Sequence, residues 1–180
     1  MKQEKKEDLI LIARYKKWLD RSTKRIVSER KEFSAEYALT KNPVPFNKRK
    51  KLKYKTAKKD TKWGQEWESA WFNLKGTIPK AWKGKTIATE LDFSGEGLIY
   101  NNKGETLQGI TSGAIWDPSF LRKHYIISEN CVGGERLNYW VEAAANHIFG
   151  IYMDPDPLID NPKRHGWFDA KVNQIEFGIF

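Results

Sequence analysis

The stretch Trp67-Glu68-Ser69-Ala70-Trp71-Phe72-Asn73-Leu74-Lys75-Gly76-Thr77-Ile78 decides how this chain is expected to fold. On an extended backbone, Ala70, Phe72, Leu74 and Ile78 fall to one side and Trp67, Ser69, Trp71, Asn73 and Lys75 to the other. That period of two marks a β-strand whose first face belongs in a core. Pro79 and the turn Trp82-Lys83-Gly84-Lys85 end the strand. Working downstream, Ile87, Thr89, Leu91 and Phe93 alternate with Ala88, Glu90 and Asp92. Leu98 to Tyr100, Leu107 to Thr111, Lys123 to Ser128, Leu137 to Ala145 and Lys171 to Phe180 add further short strands. Asn101-Asn102-Lys103-Gly104 is a hairpin signal, because Asn and Gly accept the positive φ that tight turns need. Residues 152–166, with three prolines, read as a long loop. Short strands separated by Gly/Asn turns, with no helices between them, predict a mainly β chain. The expected form is an antiparallel β-sandwich or jelly roll of the galactose-binding-like kind.

Working upstream, residues 4 to about 40 read as helix. Ile12, Tyr15, Leu19, Ile26, Phe33 and Tyr37 keep to one helical stripe, and Pro43 ends the segment. The predicted organisation is therefore an amphipathic helix or helix pair over 1–42, a basic linker over 43–62 and a β-sandwich over 63–180. The net charge of +9 sits almost wholly in the linker, where nine Lys/Arg between Lys48 and Lys62 face one acid, Asp60. Such a tract attracts phosphate non-specifically, but a charge run is usually solvated surface. Nucleic acid therefore ranks last among the candidate partners.

The chemistry-bearing residues are sparse. None of His124, His147 and His165 stands at metal-ligand spacing from another His or Cys, and no P-loop, GxSxG or GxGxxG fingerprint occurs. Gly95-Glu96-Gly97 lies between strands and reads as a turn, and Cys131 reads as a loop or core cysteine. Glu90, Asp92, Glu96, Asp117 and Glu142 qualify as glycosidase carboxylates by residue type alone, and none is assigned that role. No metal or cofactor is expected in this chain. With a single cysteine, no signal-peptide run and no long apolar segment, the expectation is a soluble, cytoplasmic protein without a membrane span.

Tryptophan is the stronger signal, with eight in 180 residues. Trp63, Trp67, Trp71 and Trp116 are the candidate contacts, either as a platform for a carbohydrate or as a seam against another domain. The stripe of the N-terminal helix is the expected cover if that face is a seam. The apolar run Phe177-Gly178-Ile179-Phe180 is expected to continue into further sequence.

Four motifs in order carry a family resemblance. Trp63-Gly64-Gln65-Glu66-Trp67…Trp71-Phe72, with Ile78-Pro79 and Trp82-x-Gly84-Lys85, resembles the opening of sugar-binding jelly rolls at the front of glycosidases. Gly95-Glu96-Gly97-Leu98-Ile99-Tyr100, then Gly104…Leu107-Gln108-Gly109-Ile110-Thr111, then Val141-Glu142-Ala143-Ala144-Ala145-Asn146…Phe149-Gly150 complete the series. Together they resemble the N-terminal domain of cytoplasmic or vacuolar-type α-mannosidases of glycoside hydrolase family 38, from about Trp63 to Phe180.

In that family the domain precedes a catalytic (β/α) barrel, whose zinc is held by His and Asp ligands. The resemblance implies α-mannoside hydrolysis for the whole enzyme. The zinc-binding His-Ile-Asp stretch has no counterpart here, so no catalytic residue carries over. It implies as partners the catalytic barrel of the parent enzyme or a split partner chain, further copies of the chain, and mannose-containing oligosaccharide. A stand-alone carbohydrate-binding module is the alternative.

Overall fold

The computed structural model describes residues 2–23, 25–65, 67–111, 121–146 and 169–180. Among the described residues a helix, α1 (Lys2–Thr23), precedes twelve strands: β1 (Ser28–Glu32), β2 (Ser34–Thr40), β3 (Lys55–Ala57), β4 (Lys62–Gln65), β5 (Ser69–Thr77), β6 (Ile87–Asp92), β7 (Glu96–Tyr100), β8 (Thr106–Thr111), β9 (Ile126–Ser128), β10 (Arg136–Ala144), β11 (Asp169–Lys171) and β12 (Gln174–Ile179). All described pairings are antiparallel. The strands form a six-stranded sheet in the order β3-β2-β5-β10-β7-β8, a four-stranded sheet in the order β1-β12-β6-β9, and a small β11-β4 ribbon. The chain is thus the expected mainly β jelly roll with a helix at its N-terminus.

The alternation read from residues 67–78 is realised in β5, which pairs with β10 as Ala70↔Ala143, Phe72↔Val141 and Leu74↔Tyr139. Those side chains face the four-stranded sheet, whose Ile87, Leu91, Ile175 and Phe177 are all buried. Phe72 meets Phe93 at 4.4 Å between ring centroids, and Phe33 meets Phe177 at 4.7 Å. Offset and tilted aromatic pairs of this kind add to what their burial already contributes.

The helix ends at Thr23 rather than near residue 40, which corrects the helical reading of 25–40. Ile26, Phe33 and Tyr37 keep helical spacing, yet 28–40 forms β1 and β2. The five residues Ser28-Glu29-Arg30-Lys31-Glu32 are all exposed and sit on the outer edge of the four-stranded sheet. An edge strand held mainly by backbone bonds needs no apolar alternation, and charged residues suit it. In β2 the buried core residue is Ala35, too small to register as part of a hydrophobic period, with the half-buried Tyr37 stacked on Phe72 beside it. Pairing with β5 over seven residues overrides the local spacing.

The linker reading of 43–62 is corrected as well. The segment contains a 3-10 turn (Phe46–Lys51), β3 and the start of β4, and it closes over the outer face of the six-stranded sheet. The sheet fold therefore begins at Ser28, not at residue 63. The expected loop over 152–166 lies outside the described residues.

Gly178 shows how tightly the edge is closed. A Cβ built there would lie 2.6 Å from both the Ser28 carbonyl oxygen and Val27 Cγ1. Gly178→Ala is therefore expected to push β1 away from β12 and to cost about 1–3 kcal/mol. The check is a lowered urea midpoint with the far-ultraviolet spectrum of the sheet retained.

Candidate functional site

The outer face of the six-stranded sheet carries the side chains that the sequence marked as a mixed face. Trp71 lies beside Glu142 across β5–β10, Trp140 beside Tyr100 across β10–β7, and Asn73 beside Trp140. A strap formed by residues 43–54 covers the part of this face around Trp71, Tyr100 and Trp140. The Trp71 indole donates to the Val44 carbonyl at 2.7 Å, and Phe46 packs edge-on to Trp71 and against Tyr100. Arg49 is only 3% exposed, with its guanidinium carbon 3.2 Å from the Phe46 centroid and 4.3 Å from that of Trp140. It donates to the Phe46 carbonyl, while its Nε is buried without a partner. Burial lowers the Arg49 pKa, opposed by the neighbouring Tyr54. Tyr54 closes the strap edge-on to Trp140 and donates to the Arg49 carbonyl. Burial pushes the Tyr54 phenol up to about 12, against the pull of Arg49 and with a further push from Glu36. Cation–π contacts of this desolvated kind are worth about 2 kcal/mol.

Two of the tryptophans marked as contacts are therefore interior residues. Trp63 is 2% exposed and donates to the Phe93 carbonyl, and Trp71 is 1% exposed beneath the strap. The strap, not the N-terminal helix, is what covers Trp71. Trp67 precedes β5 in a turn with φ +70 and is 57% exposed. Trp116 lies outside the described residues. No described side chain of α1 is buried, and Leu11, Ile12, Tyr15 and Trp18 stand about half exposed or more. Of the nine basic residues in the tract, Arg49 is buried and the eight lysines are exposed.

Beyond the strap the outer face opens into a groove of about 300 Å³ lined by Pro43, Ser69, Glu96, Gly97, Leu98, Glu142, Ala143 and Ala144. The Tyr100 hydroxyl donates to Glu142 Oε2 at 3.1 Å, and Asn146 Nδ2 donates to Glu96 Oε2 at 2.7 Å. Most of this lining falls in two of the motifs that carry the family resemblance, Gly95–Tyr100 and Val141–Asn146, but those motifs pointed to a family and not to a groove. As candidate chemistry Glu96 and Glu142 stood out only by residue type, and Ser69 only as a member of the mixed strand face.

A second polar cluster occupies the outer face of the four-stranded sheet. Glu90, with a side chain only 4% exposed, receives Arg30 Nε at 2.6 Å and Lys123 Nζ at 2.7 Å, and His124 Nε2 lies 3.7 Å away. Lys123 also donates to Gln174. Burial pushes the Glu90 carboxyl up, but the nearby His124, the close contacts of Arg30 and Lys123 and the charge of Lys123 outweigh it. The carboxyl is held well below the usual range. Asp92 accepts from the Ser94 N–H and from Asn173, the task of a turn-fixing side chain. Cys131 is buried against the Trp82 carbonyl. His147, His165 and Asp117 lie outside the described residues. Among the described residues no three His, Cys, Asp or Glu gather to hold a metal ion. The zinc of the resembled family thus finds no fitting donor set there. No described helix is long and apolar enough to cross a membrane.

A family model described as "Alpha-mannosidase, jelly roll domain" matches residues 31–174. The chain belongs to this family. Alpha-mannosidase G of Dictyostelium discoideum is 37% identical over 103 residues, covering 57% of this chain and 9% of that protein. Human Alpha-mannosidase 2C1 is 28% identical over 128 residues, covering 66% of this chain and 11% of that protein. The mannosidase jelly roll thus spans about a tenth of the curated relatives that it matches. Among solved structures, a Ruminococcus gnavus Beta-glucuronidase aligns with a TM-score of 0.49 and 10% identity, over 83% of this chain and 28% of that one.

The Glu90 cluster sets a pH dependence for the mannosidase jelly roll. Its folded pKa lies below the ordinary 4.5, so the unfolded chain takes up the proton first as pH falls. The contribution of Glu90 to stability is complete above about pH 5 and is lost as pH drops toward the folded value. Glu90→Gln is expected to cost about 3 kcal/mol at neutral pH, because it takes the carboxylate from Lys123 and leaves Arg30 only the more distant Glu176 at 3.9 Å. It also flattens the fall in stability between neutral pH and pH about 3, read from urea midpoints at both.

Proposed function

We propose that this chain is the non-catalytic, N-terminal jelly roll of a glycoside hydrolase family 38 α-mannosidase acting in the cytoplasm. Its task is to dock on the catalytic remainder of that enzyme, carried on the same polypeptide or on a partner chain. The single observation that carries the docking role is the exposed apolar side of α1. Leu11, Tyr15 and Trp18 follow one another at spacings of four and three, with Ile12 beside them, and all are exposed. One helical stripe of this kind is unstable in water without a covering surface. The helix lies outside the matched residues 31–174, and its sheet domain fills its own core without it. The curated relatives supply the reason to name the remainder of the enzyme as the cover, since this domain accounts for about a tenth of their length. In the whole enzyme the reaction is hydrolysis of α-mannosides in the breakdown of mannose-containing oligosaccharides.

The full 180-residue chain is expected to bind a hydrophobic dye such as ANS, or to self-associate in light scattering. Replacing Leu11, Tyr15 and Trp18 together by Lys abolishes both effects and leaves the sheet spectrum unchanged. A wild-type chain that is monomeric and binds no dye overturns the docking role.

A further inference from the structure

The groove at the edge of the strap is built by strand register. Ser69, Ala144 and Glu96 form one row across β5, β10 and β7, and Trp71, Glu142 and Leu98 form the next. Glu96 and Glu142 are therefore diagonal neighbours, about 7–8 Å apart at their attachment points. Between them lie Ala144 and Leu98, and the small Ala144 and Ser69 leave the depression open. Pro43, where the strap begins, forms one wall.

Three polar groups in the groove have unused hydrogen-bonding capacity. Each carboxylate is fixed from one side, Glu142 by Tyr100 and Glu96 by Asn146, whose own Oδ1 accepts the Glu96 N–H at 3.2 Å. Among the described residues, the second oxygen of each carboxylate accepts no hydrogen bond. Ser69 lines the groove and is only 7% exposed, yet its hydroxyl also has no partner among the described residues. The hydroxyl keeps its access to the groove, so a bound group can supply its hydrogen bond. Trp67 supplies an apolar surface at the same end of β10. Its N–H donates to the Ala145 carbonyl at 2.7 Å, one residue beyond the floor residue Ala144, and its side chain is exposed.

We infer that this groove binds a single neutral pyranose ring. Its hydroxyls donate to the free oxygens of Glu96 and Glu142 and exchange a hydrogen bond with Ser69, while its apolar C–H face lies on Leu98 and Ala144. A ring that carries several hydroxyl donors and an apolar face fits this mix of oriented acceptors and aliphatic floor. A cationic ligand fits less well, because the chain carries a net charge of +9 and eight exposed lysines stand in the neighbouring 48–62 tract, opposing its approach. Two carboxylates without a third ligand among the described residues do not make a cation cage. The site uses none of the α1 residues, so it stands or falls apart from the docking role, and only the choice of mannoside as first probe rests on the family.

The experiment is isothermal titration of the full chain with methyl α-D-mannopyranoside and methyl α-D-glucopyranoside, beside Nα-acetyl-lysine amide as a cationic control. The expected result is saturable binding of at least one glycoside in the millimolar range. It weakens tenfold or more in Glu142→Gln and in Ala144→Leu, which fills the floor, with thermal midpoints kept close to wild type. Ser69→Ala weakens it by a smaller factor. No binding of either glycoside overturns the inference, as does binding unaffected by Ala144→Leu, or preference for the lysine derivative. The α1 lysine variant serves as the independent control: retained sugar binding there, whatever its dye response, separates a failure of docking from a failure of the groove.

Discussion

Every side chain from Ser69 to Leu74 in β5 is buried, and the rest of the molecule follows from that. A strand at the centre of a sheet with one solvated face would leave Trp71 in water. Here both faces are closed. The four-stranded sheet covers Ala70, Phe72 and Leu74, the strap covers Trp71, and Asn73 donates to Asn138 and the Tyr139 carbonyl. The fold is therefore three layers at its middle, and the jelly roll alone accounts for two of them. The groove exists because the third layer is shorter than the sheet beneath it.

Much of the sandwich is legible in the sequence, because its central strands obey the rule that alternate residues face opposite ways. The two sides assigned to 69–75 are the two sides found, and the hairpin at Asn101–Gly104 turns on a glycine with φ +91, as its composition requires. Gly104 has a further task that spacing cannot reveal, since a Cβ there would meet Phe46 at 2.7 Å. What the sequence conceals is structure held by partners distant in the chain. β1 has no apolar residue to betray it, and Phe33 and Tyr37, which do meet the core, stand at a spacing that also fits a helix, so the local pattern misleads.

The same reasoning separates the legible from the illegible in the candidate site. A basic run reads as solvated because lysines dominate it, and the eight lysines are indeed exposed. The one arginine among them is buried, a distinction that rests on its planar guanidinium, which can lie on aromatic rings where an ammonium cannot. Tryptophan content pointed to the right face of the sheet but for an internal reason: Trp71 and Trp140 are occupied by the chain's own strap. Ser69 belongs to no motif, and the motif that holds Ala144 says nothing of a groove. Their value lies in being small beside larger neighbours across strands, which only register discloses.

The two outer faces of the sandwich are fastened by different chemistries. On the four-stranded sheet the fastening is ionic, with Glu90 as its keystone, and acid dissolves it. On the six-stranded sheet it is a guanidinium lodged between rings with no carboxylate to protonate, so neither acid nor salt has a counterion to remove. Evolution can thus rewrite the lysines of the strap, or a cell can acylate them, without unclasping it. The surface charge of this region is free to drift while its attachment stays in place.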